Sequence, residues 1–265
     1  MKPAKDNSPT VIESELLALL RSLDTSKAIA PGTLLYNEGW LLRLALSAAA
    51  RGVPCLPFSF VSGSRWFSEA LLCSAFLPRF RGDRLAEQYT HADAAIGDFN
   101  FRDTKSGLVL GAQCRQFVVC EAKIFSPLSA GTKRAPSYNQ AARNVGCMAE
   151  TLRRNGRPLD TYQHVSFCVF APGAQISAGT FAEQVAKANI SDRLAERVES
   201  YRGEREFPRL GEWLKEWAFP LLEKIDLVCC DWESVIQQIA STDRNLGEAL
   251  QRFYDSCLKY NAPVR

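Results

Sequence analysis

The sequence predicts an α/β (α+β) fold: a central mixed β-sheet flanked by helices, with a mostly helical C-terminal part. Three observations carry this expectation. Helix-period segments alternate with short apolar runs rich in Val, Phe and Ile. The runs at 92–101, 108–124 and 162–171 have strand character, and polar or glycine-containing segments separate them. Beyond residue 171 the apolar positions recur mainly at helical spacing. With 265 residues, 46% hydrophobic and 23% charged, the chain suffices for one large domain or two small ones.

Residues 1–9 are polar and are expected to form a flexible tail. From Val11 to Leu23, Leu16, Leu17, Leu19, Leu20 and Leu23 recur at helical spacing. Ala30-Pro31-Gly32 breaks the chain, and Thr33 can cap a second helix over 34–51, in which Glu38 is the one acid. Residues 52–63 connect to an expected third helix over 64–77, burying Trp66, Phe67, Leu71, Leu72 and Phe76. Arg79, Arg81 and Arg84 follow it. The runs 92–101 and 108–124 are expected to form an antiparallel hairpin around a turn at 103–107, and Gly111 can mark a bulge. A polar loop (126–137), a helix (138–154) and a strand (162–171) come next. Helices over 178–201, 208–222, 232–239 and 246–260 complete the chain, with a short strand possible at 225–229. Residues 10–171 then form the core, and 172–265 a helical part packed on it as one unit; 202–209 is the best candidate for a boundary.

Composition narrows the function classes. Nine cysteines are scattered without a Cys-x-x-Cys, and the two histidines, His91 and His164, are far apart, which argues against zinc. No apolar run reaches ~18 residues and the first residues are polar, so a membrane partner is not expected and the cytoplasm is. The formal charge of +3 is modest, but its distribution is uneven. Between Glu121 and Asp160 seven Lys or Arg face three acids, a balance suited to a polyanion.

Within that segment, Phe117-Val118-Val119-Cys120-Glu121-Ala122-Lys123 is an apolar strand ending in a carboxylate and an ammonium two residues apart. Alternation puts Val119, Glu121 and Lys123 on one face and Val118, Cys120, Ala122 and Ile124 on the other. Charges on such a strand are costly unless they are used. Phosphodiester hydrolysis could use them: a carboxylate for a hard cation, and a lysine for the attacking water or the developing charge. The hairpin would bring a second carboxylate, Asp93 or Asp98, alongside. Downstream, Gln140, Arg143 and Asn144 share a helix face at i, i+3 and i+4. The loop residues Ser126, Lys133 and Arg134 suit phosphate contacts.

His91-Ala92-Asp93 leading into an apolar strand, Glu121-Ala122-Lys123 ending the next, Glu38 in the preceding helix and Gln140 in the following one together resemble the PD-(D/E)xK, or restriction-endonuclease-like, nuclease superfamily, over roughly residues 33–171. Ala92 stands where the motif has Pro. The resemblance also implies a strand before the one bearing the Asp, for which 56–61 and 85–90 are the candidates. It implies a mixed sheet flanked by helices and a nuclease, endonuclease or exonuclease, that uses Mg²⁺ (or Mn²⁺). Asp93 and Glu121 would hold the metal, with Glu38 or Asp98 as further ligands. Lys123 and Gln140 would complete the catalytic set, while Lys133, Arg134, Arg143, Asn144 and Ser126 would contact nucleic acid. Glu38 could equally pair with an arginine such as Arg43. DNA is expected over RNA, and a homodimer or larger complex is possible. The alternative is a non-catalytic nucleic-acid-binding or assembly subunit with the same fold.

Overall fold

A computed structural model describes residues 11–23, 25, 30–87, 89–100 and 107–263. The expected tail (1–9) and most of the expected turn (103–106) lie outside these residues. The centre is a five-stranded sheet. In spatial order its strands are β1 (Arg65–Leu72), β2 (Thr90–Gly97), β5 (Gln116–Ala122), β6 (His164–Ala171) and β7 (Asp226–Asp231). β2 runs antiparallel to both its neighbours, β1 and β5, and β5, β6 and β7 run parallel. A small hairpin of β3 (Phe99–Asn100) and β4 (Val109–Leu110) extends the β2–β5 connection, so the run 108–124 is two strands. Gly111, between them, donates its backbone N–H to the Asp98 carbonyl at 2.8 Å. A Cβ there would meet the Asp98 carboxylate at 2.1 Å, so any larger residue would have to displace that side chain.

Helices cover both faces. α1 (Val11–Ser22) precedes α2 (Glu38–Ala50), which is capped by Asn37, not Thr33, through the Trp40 N–H at 3.0 Å. α3 (Gln140–Asn155) crosses from β5 to β6, capped by Asn139 and closed by Gly156 at φ 71°. α4 (Gly173–Ser177), α5 (Lys187–Glu199), and α6 (Phe207–Trp213) running through a π turn into α7 (Phe219–Lys224) follow, then α8 (Trp232–Thr242) and α9 (Arg244–Asn261). One core, holding Phe117, Val119 and Phe167, lies beneath α3 and α5–α7; the other, holding Val118, Cys120 and Phe170, lies beneath α2, α8 and α9. The helical C-terminal part therefore supplies a sheet strand and most of each helical layer. Residues 202–209 are a short connection leading into α6, tied down by Arg79 on Glu204 and Glu206 at 2.9 and 2.7 Å.

One expected element is of the wrong type. Residues 64–77 do not form a helix: Arg65–Leu72 is an edge strand, its Arg65 opposite Gly97 and its Leu72 opposite Thr90. A short run such as Trp66-Phe67…Leu71-Leu72 satisfies both periods, and the unpaired edge of β2 decides for strand. This is the strand wanted before the one bearing Asp93; neither 56–61 nor 85–90 contains it.

Candidate active site

Glu121 is the next-to-last residue of β5, on the face beneath α3, and only 1% exposed. A carboxylate so placed needs donors, and α3 supplies them. Gln140 Nε2 donates to Oε2 at 2.7 Å and Asn144 Nδ2 to Oε1 at 2.8 Å, one helical turn apart. Lys123, one residue past the strand on the same face, sets its ammonium 3.5 Å from Oε2. The main chain there is anchored by the Lys123 N–H on the Phe170 carbonyl at 2.7 Å and by the Trp232 indole on the Lys123 carbonyl at 3.0 Å.

Asp93 enters from β2. Extending the register Ala94–Cys120, Ala95–Val119 sets Asp93 opposite Glu121, but the backbone pairing stops at Ala94. Instead the Asp93 side chain accepts the Ala122 N–H at 2.7 Å. The same point interrupts the other ladder, where Ser68 and Ala70 pair with Ala94 and Ala92 and the residue between, Glu69, stands at φ 53°. The strand turns over here: Ala92 and Ala95 face one core, Ala94 and Ile96 the other. Arg43 holds the distorted segment through Ser68 Oγ at 2.7 Å and Glu69 at 2.9 Å.

Two carboxyl groups thus meet in a largely dry corner. Burial first, and the adjacent Asp93 carboxyl second, push Glu121 up to about 7; Lys123 and the Asn144 amide pull the other way. A raised carboxylate beside a second carboxylate, a lysine and amide donors is an environment that a cation would relieve.

Gln140 also organises the loop after β5. Its side-chain oxygen accepts the Ser129 N–H at 3.1 Å and its own N–H donates to the Ser129 carbonyl at 2.8 Å. Further along, a cavity of about 390 Å³ opens between this loop, the start of β2 and α3, lined by Glu87, Tyr89, His91, Lys133, Arg134 and Arg143, among others. Three of the residues expected to contact nucleic acid therefore converge. Ser126 is exposed and does not line this cavity. Arg153, Arg154 and Arg157 are committed elsewhere, to Glu150 at 2.7 and 2.8 Å and to the Cys114 carbonyl at 2.5 Å.

Some expectations need correction. Asp98 lies level with Gln116, five residues from Glu121 along the register or ~17 Å away, against Gly111. It cannot share a metal with Glu121. Glu38 faces α9, where burial first and the Glu38 charge second push the Cys257 thiol up to about 12. Arg43 pairs with Glu69, not with Glu38. Among the described residues no three of His, Cys, Asp and Glu cluster so as to hold a metal, so the structure does not bring Glu38 together with Asp93 and Glu121. Asn144 is fully buried and holds Glu121 instead of meeting a ligand. Glu69 was missed, since backbone strain leaves no mark on residue type.

A second constellation has the residue types of a nucleophilic triad at the other end of β6. Ser166 Oγ lies 2.9 Å from His164 Nε2, and His164 Nδ1 lies 3.7 Å from Asp226. A cavity of about 490 Å³ is lined by all three residues, but Ser166 is fully buried and the His–Asp distance exceeds a hydrogen bond, so the imidazole has no firm orienting partner. Compared with known protein families, curated proteins and solved structures, the chain matches none.

Proposed function

We propose that the chain is a divalent-metal-dependent nuclease that hydrolyses phosphodiester bonds, in DNA first of all, with a restriction-endonuclease-like arrangement. The observation that carries this is the buried Glu121 carboxylate, raised toward neutrality beside Asp93 and ringed by Lys123, Gln140 and Asn144. Support for the arrangement comes from the order of the elements: helix α2, the three antiparallel strands β1, β2 and β5, crossing helix α3 and parallel strand β6.

Asp93 and Glu121 would hold Mg²⁺ or Mn²⁺, and two carboxylates fit Mg²⁺, which keeps waters and takes substrate oxygens for the rest. Bound there, the cation would polarise the phosphate and acidify its water. The chain's own groups do the remainder. Gln140 and Asn144 fix both Glu121 oxygens and so hold the carboxylate in one rotamer. Ala122 N–H holds Asp93. Lys123, close to Glu121 and 12% exposed, would orient the attacking water or stabilise negative charge on the phosphate oxygens. Nine free thiols, all buried or half-buried, suit a reducing compartment such as the cytoplasm. Among the described residues no helix is long and apolar enough to cross a membrane.

A second reading, an assembly subunit, draws on α1, where Ile12, Leu16, Leu17, Leu19 and Leu20 are exposed. The test is cleavage of plasmid, linear DNA and RNA with Mg²⁺, Mn²⁺ or EDTA. Wild type should cut only with metal, and Glu121→Ala and Lys123→Ala should not cut. No cleavage by wild type, or equal cleavage by both variants, removes the nuclease reading.

A further inference from the structure

The cavity beside the carboxylates asks for a ligand of its own. Lys133 and Arg134 come from the loop, Arg143 from α3 and His91 from β2, so four separately positioned basic side chains face one concave space of about 390 Å³. Among the described residues none of the three permanent cations makes an ion pair. Arg134 donates to the Asp83 carbonyl at 3.0 Å, and Arg143 reaches only Ser129 Oγ, at 3.5 Å. The Arg143 Nε–H is buried and has no acceptor. The cavity's one acid, Glu87, does not cancel this charge, because the buried Arg197 neutralises it from beneath at 3.0 Å. Clustered cations repel, and an anion inside would relieve that repulsion. The space is nucleotide-sized, and the Tyr89 ring at its wall offers a surface for a base.

We propose that this cavity binds a nucleotide through a terminal phosphomonoester, held by Lys133, Arg134 and Arg143. A terminal phosphate carries close to two charges and three free oxygens, enough to meet three converging cations; an internal phosphodiester carries one charge. The proposal rests on the nuclease reading only for its biological setting. The ligand is either the phosphorylated end of a nucleic-acid strand or a free nucleoside monophosphate.

The experiment is binding in EDTA, where no cleavage occurs. Short labelled oligodeoxynucleotides with a 5′-phosphate, a 3′-phosphate or only hydroxyl ends are titrated into the full chain, with a nucleoside 5′-monophosphate as competitor. A phosphorylated end should bind at least about fivefold tighter than the hydroxyl form. The exposed Lys133→Gln and Arg134→Gln variants, and Arg143→Gln checked by its melt, should each erode that preference. Effective competition by the monophosphate assigns the pocket to the free nucleotide; a preference without such competition assigns it to the strand end. A wild-type preference below fivefold, or one that survives Lys133→Gln and Arg134→Gln together, overturns the proposal. No preference in a wild type that still cleaves sinks the pocket alone. An intact preference in a chain that never cuts sinks the nuclease reading alone.

Discussion

The Asp93 carboxylate accepts the backbone N–H of Ala122 at 2.7 Å, beyond the point where the β2–β5 backbone ladder stops. A side chain thus stitches β2 to β5 at the point where the two acidic residues meet. Asp93 has both a structural bond and a charge, and the two can be separated. Asp93→Asn keeps an acceptor for Ala122 and removes the charge. It should melt within about 1 kcal/mol of wild type and lose on the order of 10²-fold or more in metal-dependent cleavage. Asp93→Ala should in addition lose about 1–3 kcal/mol, because the Ala122 N–H is left without its partner. Equal stability of the two variants would show that the bond contributes nothing.

Glu121 makes stability depend on pH in an unusual direction. Its ordinary value is 4.5, and burial together with Asp93 raises it to about 7 in the folded state. Between these values the folded chain keeps a proton that the unfolded chain has lost, so this contribution to stability is fully present below 4.5 and is lost as pH rises through about 7. In EDTA, wild type should lose on the order of 3 kcal/mol at most across that window relative to Glu121→Gln. Mg²⁺ or Mn²⁺ should raise the melting temperature of wild type at pH 8 and leave that of Glu121→Gln unmoved. Parallel pH profiles for the two proteins would contradict this.

Asn144 is tested by a shape-conserving change. Asn144→Leu removes the amide that donates to Glu121 at 2.8 Å and leaves the carboxylate short of a donor. The expected result is a loss of about 1–3 kcal/mol at pH 8, smaller at pH 5 where Glu121 is protonated, and weaker metal binding by calorimetry. A loss independent of pH would reduce Asn144 to packing.

Gln140 ties Ser129 through main chain and side chain while holding Glu121. In Gln140→Ala, amide hydrogen exchange over 126–137 should rise while global stability falls by only about 1 kcal/mol. Unchanged exchange would show that the loop is held elsewhere.

Glu69 stands at φ 53°, a conformation costly for any side chain except glycine's, opposite Asp93. Glu69→Gly should leave stability within about 1 kcal/mol, since relief of strain offsets the lost contact with Arg43. Glu69→Val should cost at least 1–2 kcal/mol, measured by denaturant titration. Equal effects would mean that the backbone relaxes freely.

Much of this arrangement is legible from residues alone, because it rests on local periodicity. The period of two in Phe117–Lys123 puts Glu121 and Lys123 on one face with Val119, and that face does look toward α3. The spacing of Gln140 and Asn144 puts both on the turn that reaches Glu121. What periodicity could not decide was anything that depends on a partner distant in sequence. Arg65–Leu72 became a strand because β2 had an edge to pair, and Asp93 won over Asp98 because antiparallel register sets only Asp93 opposite Glu121. Asn144 was drawn from the surface into the corner by a carboxylate twenty-three residues away. Local spacing determines which face a side chain takes; only the assembled sheet and its helices determine what that face meets.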